Sequence, residues 1–511
     1  MGDNGLLVQY FNANTPADQT LWTQAVKDAP VLKKMGATAV WFPPATKAAR
    51  GKDDAGYATY DLYDLGEFNQ KGSVATKYGT KEEYLAAIKA MKAAGIDVYA
   101  DVAVRQKLGA DKIEAVSAND FNGRPGPQMI GNKRTVGALS KFTFPGRKSK
   151  YSKFKWNWQH FEKIDWKQDE FRQRVIELAG MDPEKAAKEF SKYDYIIGSE
   201  LDLYNQEVYD ELMNWAAWYE TMTGVDGFRF QEAEYVPGWF IKDFSLAAAH
   251  AEKSKVDIEA EQGAKAADGS STDNGSADEP KNIFVVGDFW HWNKDYLNGY
   301  IDSTEGKAAM FDVPLHFNFH DCSYDEGDYD LSRLLDGSLM MSNPAKAVTF
   351  VDNHESQPGG ILESDVREWF KPLAYAIILL REQGYPCLFM GDYQGIAAVK
   401  VKSKKTILNK LLKLRKKYAY GVQHDYFDHP DVVGFTREGD AEHPDSGLAV
   451  IMSDGVGGTK RMYVGRQYAG CHFADVMGNA KYDIKIDDEG CGEFYVNRQG
   501  VAVWIKKGCK L

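Results

Sequence analysis

Two carboxylates close runs of apolar residues. Asp288 follows Phe284-Val285-Val286-Gly287, and Glu355 follows Phe350-Val351-Asp352-Asn353-His354. Paired carboxylates at neighbouring strand ends suit glycoside hydrolysis, in which one group protonates the leaving oxygen and the other acts as base or nucleophile. Carboxylates are also common at the rims of sheets, so the pair alone leaves a purely structural reading open. Two more strand ends carry polar groups: Asp101-Val102-Ala103-Val104-Arg105-Gln106, and Gly227-Phe228-Arg229-Phe230-Gln231-Glu232-Ala233-Glu234-Tyr235.

The elements that must position these groups alternate along the chain. Strand-like segments fall at 6–11, 38–42, 96–104, 225–230, 283–286, 310–315, 347–351 and 387–390. Helix-like segments fall at 21–35, 81–94, 208–219, 239–251, 366–382 and 406–418, with a short one between the strands at 310–315 and 347–351. Strands alternating with helices imply a parallel sheet. Eight units fit an α/β fold of the (β/α)8 TIM barrel type, whose chemistry sits at the C-terminal strand ends. About 100 residues, rich in aromatic and turn residues, interrupt the rhythm up to Asn205, and after about residue 420 short strands and turns take over.

Composition removes several classes of function. Of 511 residues, 62 are basic and 74 acidic, for a net charge of −12, so nucleic acid is not an expected partner. No apolar run reaches the roughly 18 residues of a membrane span. The first residues show neither a basic nor an apolar region of a secretory signal. Five scattered cysteines read as reduced thiols. The stretch 252–282 is Ala/Asp/Glu/Lys/Gly/Ser-rich and is expected to be a disordered surface insertion. The basic run 402–417 reads as the solvated face of an outer helix.

The four strand-end segments resemble the signature regions of the α-amylases, glycoside hydrolase family 13. The likeness covers nearly the whole chain. Gly56-Tyr57-Ala58-Thr59-Tyr60-Asp61-Leu62-Tyr63-Asp64-Leu65-Gly66-Glu67-Phe68, Trp369-Phe370-Lys371-Pro372-Leu373-Ala374-Tyr375-Ala376 and Arg461-Met462-Tyr463-Val464-Gly465-Arg466 resemble the liquefying bacterial type and its intracellular fungal relatives. The resemblance implies a barrel (1–104 and 206–420), an inserted domain B (105–205) and a C-terminal β-sandwich (421–511).

It does not carry over the family's chemistry. The nucleophile, an Asp ending strand four, falls on Gln231; the acid/base, a Glu on strand five, falls on Asp288; the third carboxylate, an Asp, falls on Glu355. An amide cannot form the glycosyl ester that a carboxylate forms. Glu232 is adjacent but should face away from the cleft. The family's subsite groups are altered at Arg105, Gln106, Glu234 and Tyr235, whereas Tyr57, Arg229, Asp352 and His354 match and are expected to remain as relics of the substrate cleft. The family's structural calcium site maps onto Asp194, Glu200 and Asp202, with Glu162 and Asp182 nearby and Arg105 intruding. The site is expected to be lost, leaving no cofactor.

The chain ends Cys509-Lys510-Leu511, a variant of the Ser-Lys-Leu peroxisomal import signal. The expectation is therefore a non-enzymatic protein of the peroxisome matrix, with the cytoplasm as the alternative. Its expected partners are the import receptor and further copies of itself, in a self-assembling body such as a fungal septal-pore plug. The alternatives are a non-catalytic α-glucan-binding or regulatory protein, and a weak or altered α-glucan hydrolase or transglycosylase.

Overall fold

The computed structural model describes residues 4–122, 134–166, 174–178, 198–250, 281–509 and 511. Residues 251–280, which hold most of the expected insertion 252–282, lie outside the described residues, as do Asp182, Asp194 and Lys510.

Eight parallel strands close into a barrel: β1 (Leu7–Gln9), β2 (Ala39–Phe42), β3 (Asp97–Val102), β4 (Gly227–Phe230), β5 (Phe284–Gly287), β6 (Ala308–Phe311), β7 (Ala347–Phe350) and β8 (Tyr385–Phe389). Alternate residues turn inward or outward. The inward set includes Leu7, Trp41, Tyr99, Val286, Phe311 and Val348, which pack as a core inside the barrel. The outward set packs under the surrounding helices. These are α1 (Leu21–Met35), α2 (Lys81–Ala93), α3 (Gln206–Thr223), α4 (Gly238–Ala249), α5 (Lys294–Ser303), α6 (Val313–Tyr324), α7 (Lys371–Leu380) and α8 (Lys405–Tyr418).

Local chemistry sets their ends. Gly36 stops α1 in the left-handed region, at φ 99°, which costs a glycine little. Thr80 and Glu83 form a reciprocal capping box at the start of α2. Two spans differ from the sequence expectation. The strand expected at 310–315 ends at Phe311, because Asp312 caps the N–H of Leu315 and Pro314 opens α6. The helix expected at 366–382 is α7 alone, and it starts only at Lys371, just ahead of Pro372.

The barrel closes between its first and last strands, with Leu7 in register with Cys387 and Gln9 with Phe389. Arg415 of α8 clamps this seam. Its guanidinium donates to Leu379 O (2.6 Å), Gly5 O (2.7 Å) and Asn4 O (3.3 Å).

Between β3 and α3 lies a six-stranded sheet containing Gln106–Lys107, Lys112–Asn122, Arg134–Lys141, Phe161–Trp166, Arg174–Leu178 and Ser199–Leu201, with antiparallel pairings. The C-terminal region is a six-stranded antiparallel sheet and the pair Gly457–Tyr463 and Cys491–Asn497, joined by a core that includes Met462, Phe473, Phe494 and Trp504. After the last strand, Gly500–Lys506, the chain turns back. Cys509 N donates to Lys506 O (3.2 Å), and Cys509 and Leu511 lie half-buried against the main core.

One buried lysine sits where the inserted sheet meets the barrel. Lys107 is 1 % exposed, and its Nζ has no hydrogen-bond partner among the described residues. The ring centroids of Trp156, Phe142 and Phe144 lie 5.0, 5.6 and 5.9 Å from it. Burial pushes its pKa down to about 7, against opposing pulls from Asp61 and Glu211 and with help from Arg147. A lysine pKa lowered by folding penalises the native state fully below pH 7 and progressively less up to the unfolded value. Lys107→Met should therefore raise stability at pH 6 by on the order of 3 kcal/mol. The gain over wild type should shrink towards zero near pH 10, as read from denaturant midpoints across that range.

Candidate functional site

The ladder of β3, β4 and β5 sets the geometry of the barrel mouth. Arg229 on β4 stands in register with Asp101 on β3 and Val286 on β5. Two residues beyond Val286 on the same face is Asp288. One guanidinium therefore serves two carboxylates. Arg229 Nη1 donates to Asp101 Oδ1 at 2.9 Å and Oδ2 at 3.2 Å, and Nη2 donates to Asp288 Oδ2. Glu355 Oε2 stands 3.8 Å from the same Nη2. Arg229 is fully buried and lies 4.9 Å over the Trp41 ring.

A ring of hydrogen bonds holds Asp101 in place. Trp41 Nε1 (3.0 Å) and Tyr57 OH (2.8 Å) both donate to its Oδ2. The Tyr57 proton is thus committed, so His354 Nε2, 2.8 Å away, is the donor to Tyr57 OH, and His354 Nδ1 accepts from Gln9 Nε2 at 2.9 Å. This tautomer is the neutral one, and burial with the nearby Arg229 charge holds the His354 pKa well below its ordinary value.

Three carboxyl groups around one cation cannot all ionise in a buried site. Burial and the Asp288 charge push Glu355 well above the carboxylate range, and Glu355 and Asp288 are hydrogen-bonded to each other. Asp288 Oδ1 receives no N–H or hydroxyl donor from the described residues. Glu355 is therefore the protonated partner and donates to Asp288. Gln231 ends β4 half-buried, its N–H bonded to Val102 O at 3.0 Å. The cleft presents an amide and a hydrogen-bonded pair of acids.

Of the four expected cleft relics, Tyr57, Arg229 and His354 meet at this mouth. Asp352 does not, and the expectation for it is corrected. It is 1 % exposed, ion-paired to Lys371 Nζ at 2.7 Å, and accepts from the Val366 N–H at 3.1 Å. It anchors the start of α7 from below the cleft.

The altered subsite positions form a second cluster. Glu232 adopts φ 49°, which swings its carboxylate to Arg105 Nη1 at 3.3 Å. Arg105 Nε also binds Glu200 Oε1 at 3.1 Å, and its guanidinium lies 3.7 Å over the Tyr235 ring. Lys163 Nζ adds a contact to Glu200 Oε2 at 3.6 Å. Burial opposes ionisation, but Arg105 and Lys163 outweigh it and hold the Glu200 pKa below its ordinary value. Burial, with Asp288 and Glu232 nearby, pushes Glu234 up to about 8. Glu162, Glu200, Glu234 and Tyr235 face one cavity of about 300 Å³. Gln106 is buried in register with Glu200, and Asp202 Oδ1 accepts from the Tyr204 N–H at 3.0 Å. With two basic side chains already on Glu200, the described part of the relic calcium set does not fit a divalent cation.

Comparison with known proteins gives this geometry a family. A model described as the alpha amylase catalytic domain matches residues 26–429, and one described as the alpha-amylase C-terminal region matches residues 448–505. The chain is 43% identical over 507 residues to an alpha-amylase of Geobacillus stearothermophilus, covering 99% of this chain and 87% of that protein. It is 41% identical over 508 residues to an alpha-amylase of Bacillus licheniformis, covering 99% and 94%. The solved Anoxybacillus alpha-amylase superposes with a TM-score of 0.62 at 15% identity, covering 100% of this chain and 98% of that one, a likeness of fold.

A carboxylate that sequence reasoning missed lies where the barrel meets the C-terminal region. Asp454 is fully buried, and neither of its oxygens has a hydrogen-bond partner among the described residues. Burial, with Asp431 and Asp328 nearby, pushes it up to about 7. A carboxylate pKa raised by folding costs stability as pH rises from the unfolded value through 7. Asp454→Asn should raise stability at pH 8 by on the order of 2 kcal/mol and leave it unchanged near pH 4, as read from paired thermal melts.

Proposed function

The chain belongs to the α-amylase family, and we propose that it is a catalytically silent member that binds α-glucan without cleaving it. One observation carries the silence: the end of β4 offers Gln231, while the two carboxyl groups across the cleft are held against each other beside Arg229. A retaining glycosidase holds two carboxyl groups roughly 5–5.5 Å apart with one ionised as nucleophile, and an inverting one spaces them roughly 6.5–9.5 Å apart around a water. A hydrogen-bonded pair leaves no room for that water. Gln231 supplies no nucleophile, and Glu232 is drawn away to Arg105.

Binding is supported by kinship along the full chain with α-amylases and by Tyr57, Arg229 and His354, which match the family pattern and meet at the barrel mouth. Calcium between barrel and insert forms no part of this reading.

A second reading is favoured by the terminal Cys509-Lys510-Leu511: import into peroxisomes and assembly there with further copies of the chain. Because Leu511 packs against the core, import by this route requires the tail to lift away first.

Purified protein should release no reducing sugar from soluble starch above a buffer control, yet migrate more slowly in native gels containing that starch. Turnover near one per second that Asp288→Asn abolishes would overturn the silence, and unretarded migration would overturn the binding. For the second reading, sedimentation at micromolar concentration should show species well above 57.3 kDa, and deletion of Leu511 should leave a tagged protein in the cytosol. A strict monomer that still enters peroxisomes without Leu511 would remove this reading.

A further inference from the structure

Outside the cleft, a cavity of about 600 Å³ lies on the outer wall of the barrel. It is bordered by the start of α5, by α6 and by the loop after α6. Its volume is within the range of sites that take drug-sized organic molecules. Trp292, 70 % exposed, forms one wall. No other tryptophan among the described residues reaches comparable exposure.

The Trp292 ring is held in place. It stacks on His291 with centroids 5.6 Å apart and planes 20° from parallel, and His291 in turn packs on Tyr296 at 4.2 Å. The imidazole is itself fixed, its Nδ1 accepting from the Asn293 N–H at 3.0 Å. A flat, rigid, exposed aromatic face is costly to leave in water. It loses little conformational freedom when a ligand covers it.

The same cavity is lined by groups that exchange hydrogen bonds with hydroxyls. Asn318 donates through Nδ2 to Leu334 O (3.0 Å) and Asp336 O (2.9 Å). That orients its amide and leaves the carbonyl oxygen as the acceptor it can offer. Asp325, Asp328 and Arg333 add acceptors and a planar donor. The lining carries both signs of charge, with four aspartates against Lys294 and Arg333. An aromatic platform facing mixed acceptors and donors suits a neutral polyhydroxylated ring, whose C–H face lies on the indole while its hydroxyls reach the carboxylates and amide.

We propose that this cavity is a second carbohydrate site, taking a short stretch of α-glucan with one ring stacked on Trp292. It rests on the proposed α-glucan binding and extends it to a surface away from the barrel mouth. A protein that holds glucan at two separate points gains avidity for long chains without any gain for short ones.

The test is titration calorimetry of the full chain with maltoheptaose, comparing wild type, Trp292→Ala, Trp292→Phe and Gln231→Trp, the last filling the barrel mouth. Trp292 is exposed, so its removal leaves the fold intact, and matched thermal melts check this. The expected result is binding in wild type at two sites. Trp292→Ala should remove one site or weaken it at least about tenfold, Trp292→Phe should retain part of it, and Gln231→Trp should remove the other. Unchanged binding in Trp292→Ala, with loss in Gln231→Trp, would overturn the second site and leave cleft binding standing. Loss in Trp292→Ala, with no change in Gln231→Trp, would support the second site and overturn cleft binding. No binding by wild type would overturn both.

Discussion

One buried guanidinium organises the barrel mouth. Arg229 is fully enclosed, and a cation in such a place is tolerated only against fixed negative charge. Asp101 supplies this through two hydrogen bonds and Asp288 through a third. These demands propagate. Asp101 recruits Trp41 and Tyr57, Tyr57 fixes the tautomer of His354, and His354 orients Gln9 on the first strand. The barrel register makes the arrangement possible, because parallel strands place Arg229 level with Asp101. With two carboxylates already satisfying one cation, a third carboxyl has no charge left to claim. Burial and the Asp288 charge hold Glu355 above the ordinary carboxylate range for that reason.

The junction with the inserted sheet follows the same logic with the signs exchanged. Arg105 and Lys163 enter a place rich in carboxylates and satisfy Glu200 internally. An internal cation differs from a bound one in that it cannot be lost to dilution. The joint is held by side chains of the chain itself, and Arg105 also stacks on Tyr235, as a planar cation can.

Much of this was legible in the residue order. The helix at 21–35 and the alternation of eight units follow from periodicity and from punctuation such as Gly36, because those signals are local. The departures came where a distant partner decides. Asp352 sits beside cleft residues in the chain, yet its carboxylate is taken by Lys371, nineteen positions on. Pro314 reads as a strand breaker or a helix opener, and the cap at Asp312 settles which. Lys107 and Asp454 carry no sequence mark at all. Their character comes from enclosure, which depends on elements far along the chain. Gln231 was legible as an amide at a strand end, but the contact of Glu355 with Asp288 was not, since it depends on Arg229 meeting both across the barrel mouth.

The seam between β1 and β8 bears on how the molecule comes into being. Leu7 pairs with Cys387, and Arg415 grips the carbonyls of Asn4 and Gly5, so the first strand gains one of its two neighbours only after about three-quarters of the chain has been made. During synthesis its open edge must wait while the inserted sheet and six further strands emerge. Loop closure over such a distance is slow, and an unpaired edge is where misassociation starts. The last barrel helix therefore acts as a latch in time as well as in space. The barrel can close only once the chain has grown past β8, and Arg415 then ties the last helix to the first strand.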